Sequence, residues 1–480
     1  MQTVGIASGC ATHTETLEDP MASKYRTQNP ATGEVVKEVD YATDAQIEAA
    51  LERAAAASVS WRNTPLNERA AIVKRVSELF VEKQDELGKI IATEMGKPLG
   101  ECIGEAEFSG EIFAYFATEG PAQLADQVLA DDETARTVVQ RRPLGTILGV
   151  MPWNYPYYQV ARFAGPNLVA GNTVLLKHAE ICAESSAAIE AIMLEAGVPE
   201  GVYQNLYATH DQTATMIADD RVQGVSLTGS ERAGAIIAQQ AGKALKKAVL
   251  ELGGSDPFVV LSHDDVRGIA RTAAEIRFEN TGQACNSNKR MIVMDDIYDE
   301  FVDALVEATN ELQPIDPLEN TAGGGFSPLS SESAAEGLLA QLDDAVANGA
   351  RLLTGGTRLD RPGYWIAPAV LVDVTPAARA YREELFGPVA TVFRVKSEEE
   401  ALALANDCDY GLGSAVYSTD AEQALRFGEQ LEAGMVGVNG QAPETSDMPF
   451  GGIKRSGYGR ELGPLGIEEF LNKRLFHVVK

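Results

Sequence analysis

Apolar residues recur every three to four positions from about Asp44 to Met95, through Ile47, Leu51 and Ala55 and then Ile72, Val76, Leu79 and Phe80. That is the period of helices with one buried stripe, and Thr43 or Asp44 supplies the first N-cap. The same period returns over residues 100–119. A short extended run at 137–140 follows, and then the pattern changes. Compact apolar runs at 145–152 (GTILGVMP), 172–178 (NTVLLKH), 223–229 (QGVSLTG) and 246–254 (KKAVLELGG) read as strands. The segments between them, around 157–170, 185–195 and from Ser230 onward, read as helices. A second series repeats the alternation. It has helices at 264–280, 297–311, 332–347, 398–405 and 420–432, and strand-like runs at 289–295, 351–354, 369–372, 389–394, 413–418 and 434–439. Strands that are apolar on both faces and alternate with helices predict parallel sheets covered on both sides. The predicted fold class is α/β, in two lobes joined near residues 252–257. A Gly-rich stretch, 451–466, precedes a β-like tail, RLFHVVK, and no internal repeat or low-complexity linker interrupts the chain.

Charge narrows the partners. Acidic residues number 70 against 40 basic ones, a formal net charge of −30 in 480 residues. Phosphate backbones and anionic lipid surfaces would repel such a body, so nucleic acid and membrane are not expected partners. The bases divide into 15 Lys and 25 Arg. Abundant carboxylate with sparse Lys resembles the composition of proteins from salt-accumulating organisms, where screening tolerates self-repulsion. Five scattered cysteines without a CxxC pair fit reduced thiols in the cytoplasm. No apolar run is long enough to span a bilayer. The first twenty residues lack the basic and apolar regions of a secretory signal and read as a polar extension. Five His without an HExxH or a His/Cys cluster predict no metal site.

Candidate chemistry sits where strands end. Cys285, in NTGQAC, is flanked by Gly282 and by polar Gln283, Asn286, Ser287 and Asn288. It reads either as a nucleophile supported by backbone N–H groups or as a small buried hydrophobe. Glu251 closes a strand before Gly253-Gly254, where α/β proteins build their sites, and is otherwise a solvated strand-end carboxylate. Asn154 lies between Pro152 and Pro156 in a stiffened turn, a fixed amide donor for an oxyanion or an ordinary turn residue. The segment Gly229-Ser-Glu-Arg-Ala-Gly234 opens a helix whose N-terminal N–H groups suit phosphate, without the GxGxxG spacing of the dinucleotide fingerprint.

Read in order, PWNYP, LLKHAE, SLTGSERAG, ELGGSDP, NTGQAC, EELFGPV and then PFGGIKRSGYGRE resemble the aldehyde dehydrogenase superfamily. The resemblance runs from about residue 25 to the end, and is strongest to the succinate-semialdehyde dehydrogenases. It implies a Rossmann-like cofactor domain (21–119 and 141–251) behind the extension at 1–20. It further implies an α/β catalytic domain (252–448) and a small β arm (120–140 and 449–480) that joins protomers into a homodimer or homotetramer. The implied activity is NAD(P)-dependent, non-phosphorylating oxidation of an aldehyde to an acid. Cys285 matches the nucleophile that forms a thiohemiacetal and then a thioester. Asn154 and the Cys285 N–H match the oxyanion hole, and Glu251 matches the base for thioester hydrolysis. Lys177 and Glu180 match the pair on the adenosine ribose, and Gly229 and Ser230 the turn under the pyrophosphate. Glu384 and Phe386 match the grip on the nicotinamide ribose and ring, with Trp153 shaping the same pocket. A carboxylate at Glu180 would repel a 2′-phosphate, so NAD is preferred, with NADP as the alternative.

For substrate, Arg162 matches an Arg that binds a distal carboxylate, and Thr445 or Ser446 matches a hydroxyl with the same task. That makes succinate semialdehyde the expected substrate. Glu279 departs from the pattern: some members carry a second Arg there. It could pair with Arg162, repel an acidic substrate or favour a cationic one, and Arg277 and Arg455 are the cations that could offset it. The alternatives are a dehydrogenase for another aldehyde (aliphatic, aromatic or aminoaldehyde) and a catalytically silent structural homologue.

Overall fold

Short runs that are apolar on both faces pair edge to edge and take cover from helices on either side. In the computed structural model, which describes residues 24–319 and 325–480, they form two sheets. The polar extension expected at residues 1–20 lies outside the described residues. The first sheet has six strands in the order Gly457–Tyr458, Lys247–Glu251, Val222–Thr228, Thr146–Met151, Thr173–His178 and Tyr203–Asn205. All neighbours are parallel except the first pair. Alternation along its strands separates two cores. Ile147, Met151, Val174 and Leu176 pack with helices Leu66–Glu82, Leu99–Gln123 and Pro156–Ala170 on one face. Leu148, Leu175, Val225 and Leu227 pack with helices Asp44–Trp61 and Glu231–Lys243 on the other. The chain leaves the central strand Thr146–Met151 toward one edge and returns at Val222–Thr228 toward the other. Between those strands lies the switch point, where α/β sheets open a crevice at their C-terminal ends.

The second sheet has seven strands in the order Arg351–Thr354, Ala369–Val372, Val389–Val395, Arg290–Met294, Pro257–Val260, Ala415–Tyr417 and Gly437–Val438. Only the first pair is antiparallel. A third sheet is antiparallel throughout: Leu471–Val479 pairs along its whole length with Ala135–Pro143, which pairs in turn with Gln127–Asp131. No helix among the described residues is long and apolar enough to cross a membrane.

The sequence reading and the structure differ at several places. The helical stretch from 44 to 95 is three helices, Asp44–Trp61, Leu66–Glu82 and Gln84–Met95. Pro65 lacks the N–H a continuing helix needs, and its ring excludes the preceding turn. The first helix opens with a full capping box between Thr43 and Gln46. The 137–140 run is a nine-residue strand, and Pro257–Val260 is a central strand where only a lobe junction was read. Residues 449–480 do not all belong to the arm. Gly457 pairs with Glu251 and adds a strand to the edge of the six-stranded sheet.

Candidate active site

The segment that carries Cys285 owes its shape to backbone that L-residues resist. Helix Val266–Phe278 stops, and the tight turn Glu279–Gly282 puts Asn280 and Thr281 at φ of 47° and 52°. A branched Thr there stores on the order of 1–3 kcal/mol, so neighbours must hold it. Glu101 accepts the Asn280 N–H at 3.0 Å, and the Asn280 side-chain amide donates to the Asn154 carbonyl at 3.0 Å. The Thr281 hydroxyl bonds Ser327 and accepts its N–H. Gly282 follows at φ 73°, where a Cβ would run into the Gly387 carbonyl. The chain thus crosses under the segment that carries Glu384 and Phe386, then turns up at Cys285.

Cys285 opens onto a cleft of about 660 Å³ that Arg162, Tyr155, Tyr158, Phe450 and Glu279 also line. Burial pushes its thiol up to about 12, while Arg162 and Lys289 pull it down and Glu384 and Glu251 push with burial. Asn154 is buried and bonded to the segment that leads to Cys285. Its amide donates to the Gln283 carbonyl at 3.0 Å, and its carbonyl oxygen accepts from Gln159 at 2.9 Å. Those two bonds fix the turn and leave the amide a second N–H. Glu251, 2% exposed, has both carboxyl oxygens buried without a hydrogen-bond partner. Burial, with the charge of Glu461 added, holds its carboxyl well above the usual carboxylate range.

Arg162 lies on the first helix after the switch point. Its guanidinium sits 4.4 Å from the ring centres of both Tyr158 and Phe450 and pairs with Glu461 at 2.7 Å. It does not pair with Glu279, which accepts the Tyr155 hydroxyl at 3.4 Å. Neither offsetting cation reaches Glu279. Arg277 is fully buried and spends its donors on the carbonyls of Gly282, Leu385, Gly387 and Val389, and Arg455 pairs with Glu231. Glu101, Glu279 and Glu444 give the cleft an acidic side. Burial, reinforced by Glu279, pushes the Glu101 carboxyl up to about 7. Thr445 and Ser446 fall just outside the lining, and the Thr445 hydroxyl donates to Asp447 at 2.5 Å.

Of the residues expected to hold a dinucleotide, Trp153, Lys177 and Gly229 lie at the C-terminal ends of three neighbouring strands of the six-stranded sheet, and Glu384 and Phe386 come from the second lobe. Lys177 is the penultimate residue of strand Thr173–His178 and pairs with Glu180 at 2.6 Å. Burial pushes the Glu180 carboxyl up, but Lys177 outweighs it and the carboxyl stays below its ordinary value. Ser230 caps helix Glu231–Lys243 by accepting the Ala233 N–H at 3.3 Å. Two residues before it the Thr228 hydroxyl is buried without a partner, and a Cβ on Gly229 would meet only the Leu227 side chain, at 3.9 Å. Glu384 accepts from the Gly254 N–H at 3.1 Å, and Phe386 meets Trp153 edge to face at 5.7 Å. An orphaned hydroxyl just before a helix N-terminus fits a pyrophosphate. Among the described residues no cluster of His, Cys, Asp or Glu is arranged for a metal ion.

Sequence reasoning missed Tyr155, Tyr158 and Gln159, although their spacing with Arg162 along one helix places them on one face. It missed Phe450 and Glu461 because nothing local ties the C-terminal stretch to residue 162.

The chain matches the aldehyde dehydrogenase family over residues 18–476. It belongs to that family and is an oxidoreductase. A succinate-semialdehyde dehydrogenase of Deinococcus radiodurans, named for NADP(+), is 50% identical over 451 residues, 94% of each chain. One of Escherichia coli, named for NAD(P)+, is 41% identical and covers 92% of this chain and 96% of its own. Among solved structures, succinic semialdehyde dehydrogenase from Streptococcus pyogenes in complex with NADP+ superposes with a TM-score of 0.91 at 39% identity. It covers 95% of this chain and all of the other.

Proposed function

We propose that this enzyme oxidises succinate semialdehyde to succinate, with Cys285 as nucleophile, Asn154 as oxyanion donor and Glu251 as hydrolytic base. One observation carries the substrate: Arg162 lines the cleft that opens on Cys285, packed into the corner of two perpendicular aromatic rings with an unpartnered Nη2. A guanidinium so fixed can accept the distal carboxylate of a short chain whose aldehyde lies at the thiol. The names and titles of the relatives agree with that reading.

Cys285 Sγ passes its proton to water in the open cleft and adds to the aldehyde carbon. The resulting oxyanion takes hydrogen bonds from the second Asn154 amide N–H and the Cys285 backbone N–H. Bound nicotinamide dinucleotide supplies the hydride acceptor that leaves a thioester on Cys285. Lys177 and Glu180 would hold its adenosine ribose, Gly229 and Ser230 its pyrophosphate, and Glu384, Phe386 and Trp153 its nicotinamide end. Glu251 then removes a proton from water, hydroxide adds to the thioester, and succinate leaves as the thiol is restored.

NADP joins NAD as a cofactor in this reading. The relatives' names favour NADP, against the NAD preference expected from Glu180. The carboxylate is already paired with Lys177 at 2.6 Å, which offsets part of its repulsion of a 2′-phosphate. We place the enzyme in the cytoplasm, which the free Cys102, Cys182, Cys285 and Cys408 support. We assign it a homo-oligomer through the antiparallel arm, where Leu475 and Val479 are 67% and 74% exposed.

The test is kcat/KM over succinate semialdehyde, hexanal, benzaldehyde and 4-aminobutanal, with NADP and NAD in parallel. Succinate semialdehyde should lead. Arg162→Met should raise its KM about 10- to 100-fold and change hexanal far less. A leading aminoaldehyde would instead assign the acidic wall of the cleft to substrate binding.

A further inference from the structure

Lys289 is 1% exposed and sits four residues beyond Cys285, at the start of a central strand of the second sheet. Its ammonium has three donors and three close oxygens: the Ala284 carbonyl at 2.6 Å, the Cys285 carbonyl at 2.8 Å and a Glu384 carboxylate oxygen at 3.1 Å. A tetrahedral ammonium meets three converging acceptors, whereas a planar guanidinium would meet them poorly. Gly254 leaves no room for a side chain beside the Cys285 carbonyl, so the backbone there is closely packed from both sides. Arg277 fastens the same loop elsewhere, through the Gly282 carbonyl at 3.2 Å and the Ser287 hydroxyl at 3.0 Å. Arg277 does not touch Glu384 or the Cys285 carbonyl in these bonds. Lys289 touches both.

We propose that Lys289 is a positioning residue that aims the oxyanion donor and ties the nucleophile to the cofactor grip through one buried ammonium. The inference rests on the reading of Cys285 as nucleophile and Glu384 as ribose ligand. In a trans peptide the carbonyl and the next N–H point in opposite directions. Holding the Ala284 carbonyl on Lys289 therefore turns the Cys285 N–H away from Lys289, and the donor for the oxyanion is oriented before substrate arrives. The third donor fixes Glu384, so the side chain that would hold the nicotinamide ribose is registered against the same backbone. The positive charge also favours thiolate at Cys285. The other charged groups acting on that thiol are Arg162, which favours thiolate, and Glu384 and Glu251, which oppose it. Asp256 lines the same cleft as Cys285; burial pushes its carboxyl up to about 7, and Lys289 pulls it down.

The experiment follows alkylation of Cys285 by iodoacetamide against pH, together with steady-state kinetics, in Lys289→Met, Lys289→Arg and Glu384→Gln. Lys289→Met keeps the apolar stem and loses every donor. Its alkylation midpoint should rise by about one pH unit, and kcat should fall by about 10- to 100-fold with a smaller change in aldehyde KM. Lys289→Arg should restore the midpoint while recovering kcat only in part, because its fork cannot meet all three oxygens. Glu384→Gln, which keeps the shape and removes the charge at a partly exposed position, should lower the midpoint and raise the cofactor KM. A wild-type midpoint in Lys289→Met, or kcat losses as deep in Lys289→Arg as in Lys289→Met, would overturn the proposal. If Lys289→Met does not fold, an unmoved midpoint in Glu384→Gln overturns it equally. Cys285→Ser separates the two levels: continued aldehyde oxidation by that variant would remove the nucleophile reading itself.

Discussion

Burial favours the neutral form of Glu251, which is 2% exposed, and of Cys285, which is half-buried at the cleft. A site poised in this way pays for thiolate only when charge arrives to support it, and Arg162 and Lys289 are the cations that act on Cys285. Glu101 is one of the carboxyls that line the cleft. Its environment pushes it up to about 7, so it is neutral below that pH and anionic above it. Succinate semialdehyde is an anion throughout this range, since a free carboxylate titrates near pH 4. KM for succinate semialdehyde should therefore rise as pH passes through 7, and Glu101→Gln should flatten the profile. KM for hexanal, measured alongside, should stay level in both enzymes.

At the scale of elements, the parallel series was legible because its strands are unbroken apolar runs of the right length, each followed by a helical period. Thr146–Met151 and Arg290–Met294 fall inside the predicted spans. What escaped were elements whose partners are distant in sequence. Gly457–Tyr458 is two residues in a Gly-rich stretch and exists as a strand only because Glu251 pairs with it. The hairpin Lys24–Gln28 and Val35–Asp40 is half polar and gives no strong period. At the site, Cys285, Glu251 and Asn154 were legible through short blocks around each of them. Glu461 and Phe450 became visible only where the chain folds back on Arg162. His178 shows another long-range effect: its ring contacts the Pro156 carbonyl at 3.0 Å, and burial holds its pKa down to about 4 from 6.5. The unfolded chain takes up that proton first, so stability should drain away as pH falls from 6.5 toward 4. The loss should reach about 3 kcal/mol and level off below. Urea midpoints across that range should show the slope in the wild type, and His178→Gln should lack this part of it.

At the scale of the whole molecule, a net charge of −30 bears on how an anionic aldehyde reaches the cleft. The acidic groups Glu101, Glu279 and Glu444 stand on the cleft itself, so the acidic shell does not stop at its mouth. Salt screens exposed charges over a Debye length of about 10 Å at 0.1 M and about 3 Å at 1 M. Raising KCl should therefore lower KM for succinate semialdehyde and leave KM for hexanal nearly unchanged. Equal salt response for both substrates would place the effect in folding or cofactor binding. The central claim is that Cys285 carries the acyl group and Glu251 releases it. The most direct measurement is the intact mass of Glu251→Gln after mixing with succinate semialdehyde and NADP. One succinyl group per chain should accumulate, mapped to Cys285 and absent from Cys285→Ser. An unmodified chain that still turns over at the wild-type rate would contradict the account.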